Sequence, residues 1–101
     1  MVTQISTGLV EFKFFRPAAQ QVTLSGDFNQ WQNNFRLRKD PSGWWRCRLQ
    51  LAPGVYQFHY QADGERYIDY AAFGIEPDQA GWNSVLVVET EVAGTKNLEA
   101  A

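Results

Sequence analysis

The chain has 101 residues, 45% of them hydrophobic and 20% charged, with a formal charge of −2. That length suits one domain with one core, and the hydrophobic share excludes a chain disordered throughout. The charge balance lacks the basic excess of a protein that tracks phosphates, and no apolar run approaches the roughly 20 residues that span a bilayer, so neither nucleic acid nor membrane is an expected partner.

Short β-rich runs alternate with turn residues, and no stretch shows the apolar period of a helix. Leu9 to Arg16 is the first predicted strand, with Val10, Phe12 and Phe14 on one face; Pro17 ends it because proline cannot donate to a ladder. Gln21 to Ser25 is the second, with Val22 and Leu24 inward. Gly26-Asp27 opens a loop, Phe28-Asn29-Gln30-Trp31, and a short run around Phe35 and Leu37 follows, closed by the turn formers Asp40-Pro41-Ser42-Gly43. Trp44 to Leu51 alternates, with Trp45, Cys47, Leu49 and Leu51 one way and Trp44, Arg46, Arg48 and Gln50 the other. Pro53-Gly54 turns into Val55 to Ala62, where Tyr56, Phe58 and Tyr60 point inward while Val55, Gln57, His59 and Gln61 line the opposite face. Asp63-Gly64 is a hairpin signal leading into Glu65 to Asp69. Residues 70 to 81 read as a polar connection, Trp82 to Glu89 as the last strand, and residues 92–101 as a disordered tail, which leaves a domain over 1–91.

The pattern predicts an all-β fold: an immunoglobulin-like antiparallel β-sandwich of about seven strands. A single cysteine, Cys47, allows no internal disulfide and no cysteine-rich zinc cluster, and no metal or cofactor is expected. The start carries no charged segment followed by an apolar one, so a cytoplasmic location is the expectation.

Val22-Thr23-Leu24-Ser25-Gly26-Asp27-Phe28-Asn29-Gln30-Trp31 resembles the V-x-L-x-G-x-F-N-x-W opening of family 48 carbohydrate-binding modules. These are the glycogen-binding domains of AMP-activated kinase β subunits and the early-set domains preceding isoamylase, pullulanase and branching-enzyme barrels. The resemblance continues through Gly43-Trp44-Trp45, Leu51-Ala52-Pro53-Gly54-Val55-Tyr56-Gln57-Phe58, Ala62-Asp63-Gly64, Asp69 and Asn83-Ser84-Val85-Leu86, covering roughly residues 8 to 90. It implies an early-set sandwich that binds α-1,4-linked glucan such as glycogen or starch chains without catalysing its turnover, with a glycoside hydrolase or a kinase as protein partner.

In kinase-type members, sugar binding uses a tryptophan of the F-N-x-W loop, a lysine before the D-G turn, a second tryptophan just after it, and an asparagine opening the last strand. Trp31 and Asn83 match the first and last of these. His59 stands in the lysine position, keeping a polar donor without the fixed charge, and Arg66 stands where the second tryptophan would be. Tyr67 is the neighbouring ring; alternation points it to the other face, and a one-residue bulge would exchange the two.

These residue types suit a sugar. A glucose ring has apolar C–H faces that pack on a flat aromatic ring, and a rim of hydroxyls that amide, imidazole and guanidinium groups can meet. The candidate carbohydrate-binding residues are Trp31, Gln57, His59, Gln61, Arg66 and Asn83. Each has a plainer reading: Trp31 covering the sandwich edge, His59 as an ordinary sheet-surface histidine, Arg66 paired with a nearby carboxylate, Asn83 turning the last strand. Trp45 reads as core, Trp82 as packing by strand parity, Trp44 as a second platform or a partner contact, Cys47 as a buried small hydrophobe, and Asp69 as a local acceptor.

No catalytic residue is expected. A glycosidase needs two carboxylates about 5 to 10 Å apart across a cleft, whereas Asp63, Glu65, Asp69, Glu76 and Asp78 cluster around a hairpin and an edge loop. The single histidine and single cysteine alternate to opposite faces, and there is no glycine-rich phosphate loop. Two other readings of the same fold stand beside glucan binding: an early-set structural domain packed on a hydrolase barrel or other protein without sugar, and an edge-strand adaptor unrelated to sugars.

Overall fold

The computed structural model describes residues 1–31 and 35–90. The tail expected over 92–101 lies outside them. Ten strands are present among the described residues: β1 (Val2–Ser6), β2 (Leu9–Phe15), β3 (Val22–Gly26), β4 (Phe35–Arg36), β5 (Arg38–Lys39), β6 (Trp44–Gln50), β7 (Gly54–Ala62), β8 (Glu65–Tyr67), β9 (Gly74–Asp78) and β10 (Gly81–Val88). They form two antiparallel sheets, ordered β1-β2-β6-β5 and β4-β3-β7-β10-β9, with β8 also paired to β7. The fold is the expected immunoglobulin-like β-sandwich, with more strands than the seven the turn spacing suggests.

The core follows the alternation. Val10 and Phe12 from one sheet meet Val22, Leu24, Phe58, Tyr60 and Leu86 from the other, all at or near complete burial. Phe12 and Phe58 pack edge to face across the two sheets, ring centres 5.2 Å apart. Burying side chains of this size contributes about 1.5–3 kcal/mol each. Trp45 is core as expected, and its indole N–H donates to the Arg16 carbonyl at 2.8 Å. Asp63 and Gly64 both take positive φ at the β7–β8 turn, the backbone a two-residue hairpin needs.

Four expectations are corrected. The run around Phe35 and Leu37 is two strands: β4 pairs with β3, β5 pairs with β6, and buried Leu37 marks where the chain passes from one sheet to the other. The strand expected over Glu65 to Asp69 stops at Tyr67, and Asp69 is a buried anchor accepting the Tyr60 hydroxyl at 2.5 Å. The polar connection contains β9, whose Pro77 faces Trp82 in the ladder. β9 is an outer strand with every residue exposed, where a proline without an N–H is tolerated. Trp82 has inward parity yet is 52% exposed, because β9 and the start of β10 form the uncovered side of their sheet. At the other end of the chain, β1 adds an edge strand whose Val2 is buried.

Candidate functional site

The loop after β3 is built by its own side chains. Asn29 accepts the Gly26 N–H on Oδ1 at 2.9 Å and donates from Nδ2 to the Leu24 carbonyl at 3.0 Å, closing the 3-10 turn Asp27–Asn29. Phe28 plugs the end of the core, with its ring 5.7 Å from Phe12 and 6.1 Å from both Phe35 and Tyr56. Gly26 is extended, and its hydrogen faces the Gln57 carbonyl and the Phe28 ring so closely that an added Cβ would sit 2.7 Å from each. The glycine is therefore required by contact.

Gln30 and Trp31 follow with φ of 58° and 62°, a left-handed backbone that costs roughly 1–2 kcal/mol per non-glycine residue. Two bonds hold Trp31 there. Its backbone N–H donates to the Gly26 carbonyl at 3.0 Å, and its indole N–H donates to Asp27 Oδ1 at 3.1 Å. The other Asp27 oxygen accepts the Gln57 N–H at 2.7 Å, which ties the loop to β7.

The indole stacks on His59, ring centres 5.6 Å apart and planes 25° apart. His59 lies on the outer face of its sheet as expected, yet it is buried beneath Trp31, unlike an ordinary sheet-surface histidine. Its Nδ1 meets Asn83 Oδ1 at 3.2 Å. Asn83 is 1% exposed and sits in a closed network. Its Oδ1 also accepts Arg66 Nη2 at 2.5 Å, and its Nδ2 donates to Asp78 Oδ2 at 2.7 Å and Gln57 Oε1 at 3.4 Å. Arginine only donates and ionised aspartate only accepts, so these two charges fix which way the amide points. With Oδ1 turned to His59, the imidazole proton is on Nδ1. Burial pushes the His59 pKa below its ordinary value; the Asn83 bond opposes this and the Arg66 charge adds to it. The ring is thus neutral near pH 7, where a lysine would be charged.

Arg66 pairs with Gln61 in an unbroken β7–β8 register, so no bulge exchanges it with Tyr67. Arg66 shares the outer face with Gln61, and Tyr67 turns inward against Phe14, ring centres 5.4 Å apart. The Arg66 guanidinium is tied down on three sides: to Asn83, to Asp78 at 2.9 Å, and through Nε to the Trp82 carbonyl at 3.2 Å. Arg66 and then Asn83 hold the Asp78 carboxyl well below the usual range. Gln61 and Thr23, paired across β7 and β3, open onto a polar cleft of about 770 Å³ that Gln20, Gln21 and Asp63 also line.

All six candidate residues therefore share one sheet face: Trp31, Gln57, Gln61 and Arg66 reach its surface, while His59 and Asn83 lie beneath. Asp27 and Asp78 complete the arrangement and were not among the sequence candidates. The four-residue step from Asp27 to Trp31 across a turn was a readable signal; nothing local marked Asp78.

The family described as the glycogen recognition site of AMP-activated protein kinase matches residues 4–93. The chain belongs to that family. This glycogen-recognition module is also 37% identical over 71 residues to the 1,4-alpha-glucan branching enzyme GlgB of Lactobacillus acidophilus, a match covering 65% of this chain. The chain spans 11% of the length of that curated relative. Within the family pattern, the tryptophan of the F-N-x-W loop is clamped and partly exposed here, and the place of the second tryptophan is taken by an arginine bonded to the asparagine of the last strand.

Proposed function

We propose that this module binds α-1,4-linked glucan, of the glycogen or starch type, on the outer face of the β7 sheet and catalyses nothing itself. The observation that carries the reading is the clamped Trp31 ring, stacked on His59 and still 37% exposed, a surface on which the C–H face of a glucose unit would pack. Gln57, Gln61 and Arg66 would meet the hydroxyls. His59 and Asn83 would act from below, one supporting the indole and the other orienting Arg66. A ring and network set before the ligand arrives lose little entropy on binding, which favours a weak repetitive polymer.

The test is a ¹H–¹⁵N titration with maltoheptaose, with Trp31→Ala as control. Shifts at the Trp31 indole and at the amides of Gln57, His59 and Gln61, lost in the variant, support the reading. Silence across the titration at millimolar sugar removes it.

A second reading rests on an apolar surface that adjoins Arg66 at one end. Phe15, Trp44, Ile68, Tyr70 and Trp82 line two adjoining grooves that share Ile68 and Tyr70, and Tyr70 is 95% exposed. An apolar surface of this kind suits packing against another protein, with a glycoside hydrolase or a kinase as the partner under this reading. It is supported if the Tyr70 and Trp82 signals broaden on adding such a partner while maltoheptaose leaves the spectrum unchanged.

A further inference from the structure

Four of the nine Lys and Arg residues of this net-negative chain, Lys13, Arg38, Arg46 and Arg48, share the outer face of the β1-β2-β6-β5 sheet. Register places Lys13 opposite Arg46 and Arg46 opposite Arg38, three cations in one row over three strands. Glu11 stands opposite Arg48 in the next row. Like charges directly opposite on antiparallel strands destabilise a sheet.

Only part of that repulsion is relieved internally. Asp40 accepts Arg46 Nε at 2.9 Å and Glu11 accepts Arg48 Nε at 3.1 Å. Both acids meet the Nε edge, and among the described residues no hydrogen bond reaches the Nη groups of these two arginines. Arg36 and Arg38 form no ion pair among the described residues. Arg36, Arg38, Arg46 and Arg48 line one open groove of about 470 Å³, with Glu11 as its one carboxylate. At the Lys13 end of the row an aromatic pair follows, Phe15 and Trp44 with ring centres 5.2 Å apart, and Lys13 Nζ lies 5.2 Å over the Trp44 ring.

We propose that this groove is an anion site that takes phosphoryl groups, with Arg36 and Arg38 as the principal contacts and Arg46 and Arg48 closing on the same group. A guanidinium fork meets phosphate and carboxylate oxygens alike. A carboxylate offsets one charge, whereas a phosphoryl dianion offsets two and has the oxygens to bridge two forks. With Asp40 and Glu11 each offsetting one of the four arginines, two charges remain, and they match the second. The groove is open to water, so binding is weak for a single charge and falls as salt screens it. The phosphoryl group can arrive on a sugar, as a phosphate ester, or as free inorganic phosphate. Arg38, Arg46 and Arg48 stand on the sheet opposite the glucan face, and Arg36, on β4 at the edge of the β3–β7 sheet, completes the groove across the seam.

The test follows the arginine Nε–H and Trp44 indole signals of the full chain at low salt. Probes are pyrophosphate, glucose 6-phosphate, glucose, polyglutamate and polyuridine. Both phosphates should shift the Arg36, Arg38 and Trp44 signals, and glucose should not. Raising salt from about 20 to 200 mM should weaken the effect on the order of tenfold. The double variant Arg36→Gln/Arg38→Gln should weaken phosphate binding by about tenfold without lowering the melting temperature; single Arg38→Gln, on the sheet away from Trp31, gives an intermediate loss and leaves maltoheptaose shifts at Trp31 as they were. A stronger response to pyrophosphate identifies the free anion as the source, and a stronger response to glucose 6-phosphate identifies the sugar ester. Absence of phosphate-dependent shifts at these arginines, or shifts unchanged in the double variant, overturns the proposal. So does a response to polyglutamate or polyuridine alone, which would make the face a protein or nucleic-acid contact.

Discussion

The Trp31 indole and the His59 imidazole form a stack 5.6 Å between centres, assembled from a loop and a strand far apart in sequence. The stack links two properties that are usually separate: the tryptophan gains a rigid support, and the histidine loses its water. Removing one ring should therefore change the other's chemistry. In Trp31→Ala the imidazole regains solvent, and its pKa should rise toward the ordinary value, followed by its carbon-bound proton shifts over a pH series. Maltoheptaose affinity in the same variant should fall at least about tenfold, a loss of roughly 1.4 kcal/mol or more by calorimetry.

The His59 shift also sets a pH dependence. Its folded pKa is lowered, so below the unfolded value of roughly 6.5 the unfolded chain binds more protons than the folded one. The contribution of neutral His59 to stability is complete above that pH. It is lost as pH falls from there through the folded pKa. Urea midpoints measured between pH 7 and pH 5 should decline, and His59→Gln should flatten the decline in that window.

Arg66 is expected to act on the site through Asn83 and Asp78 as well as by touching sugar. Arg66→Ala removes the main cause of the depressed Asp78 carboxyl, which should titrate closer to the usual aspartate range in carboxyl NMR. Asn83 Oδ1 loses its charged partner at the same time. Maltoheptaose binding should weaken by about tenfold. Loss of affinity with no change at Asp78 would show that the pair is not coupled as the bonds indicate.

Gly26→Ala tests the loop clamp. The new Cβ meets the Gln57 carbonyl, a backbone atom with little freedom to retreat, and the wedged Phe28 ring. The 3-10 turn must shift, and with it Asp27 and Trp31. Both stability and glucan affinity should drop, by about 1–3 kcal/mol for the overpacked site. Denaturant unfolding and the maltoheptaose titration read the two effects separately.

Tyr60→Phe tests the buried pair beneath the sheets. The hydroxyl donates to Asp69 at 2.5 Å, and burial, then the Asp69 charge, raises the Tyr60 pKa well above its ordinary value. Asp69 keeps the Ala71 N–H at 2.9 Å, and its own N–H keeps Ser84 Oγ at 2.6 Å, but the carboxylate loses a buried donor. The expected cost is about 1–3 kcal/mol in urea unfolding, with an unchanged slope and with glucan binding retained in the folded fraction.

Much of this was legible in the chain because strand alternation is local. Val10 and Phe12, Val22 and Leu24, and Phe58 and Tyr60 were readable as inward from their neighbours alone, and all are core. Gln57, His59 and Gln61 were readable as one face on the same ground. The misreadings occurred where local signals compete with position in the sheet. Residues 70 to 81 read as a polar connection, yet they contain β9, an outer strand on which Pro77 needs no N–H. Trp82 has core parity, but parity says only which way a side chain points, and among the described residues Trp82 stays half exposed at this side of the sheet.

The sandwich, the inward and outward sets on its strands, and the loop that carries Trp31 were already written in the chain, because period-two alternation and turn chemistry act between near neighbours. Tertiary structure decided what those groups became. The register of β8 on β7 chose Arg66 over Tyr67 for the outer face, the approach of β10 buried His59 against Asn83, and the pairing of β2, β6 and β5 gathered scattered cations into one row. Each of these is a bond or a register between strands brought together by folding, and such pairings are set by how whole sheets pack.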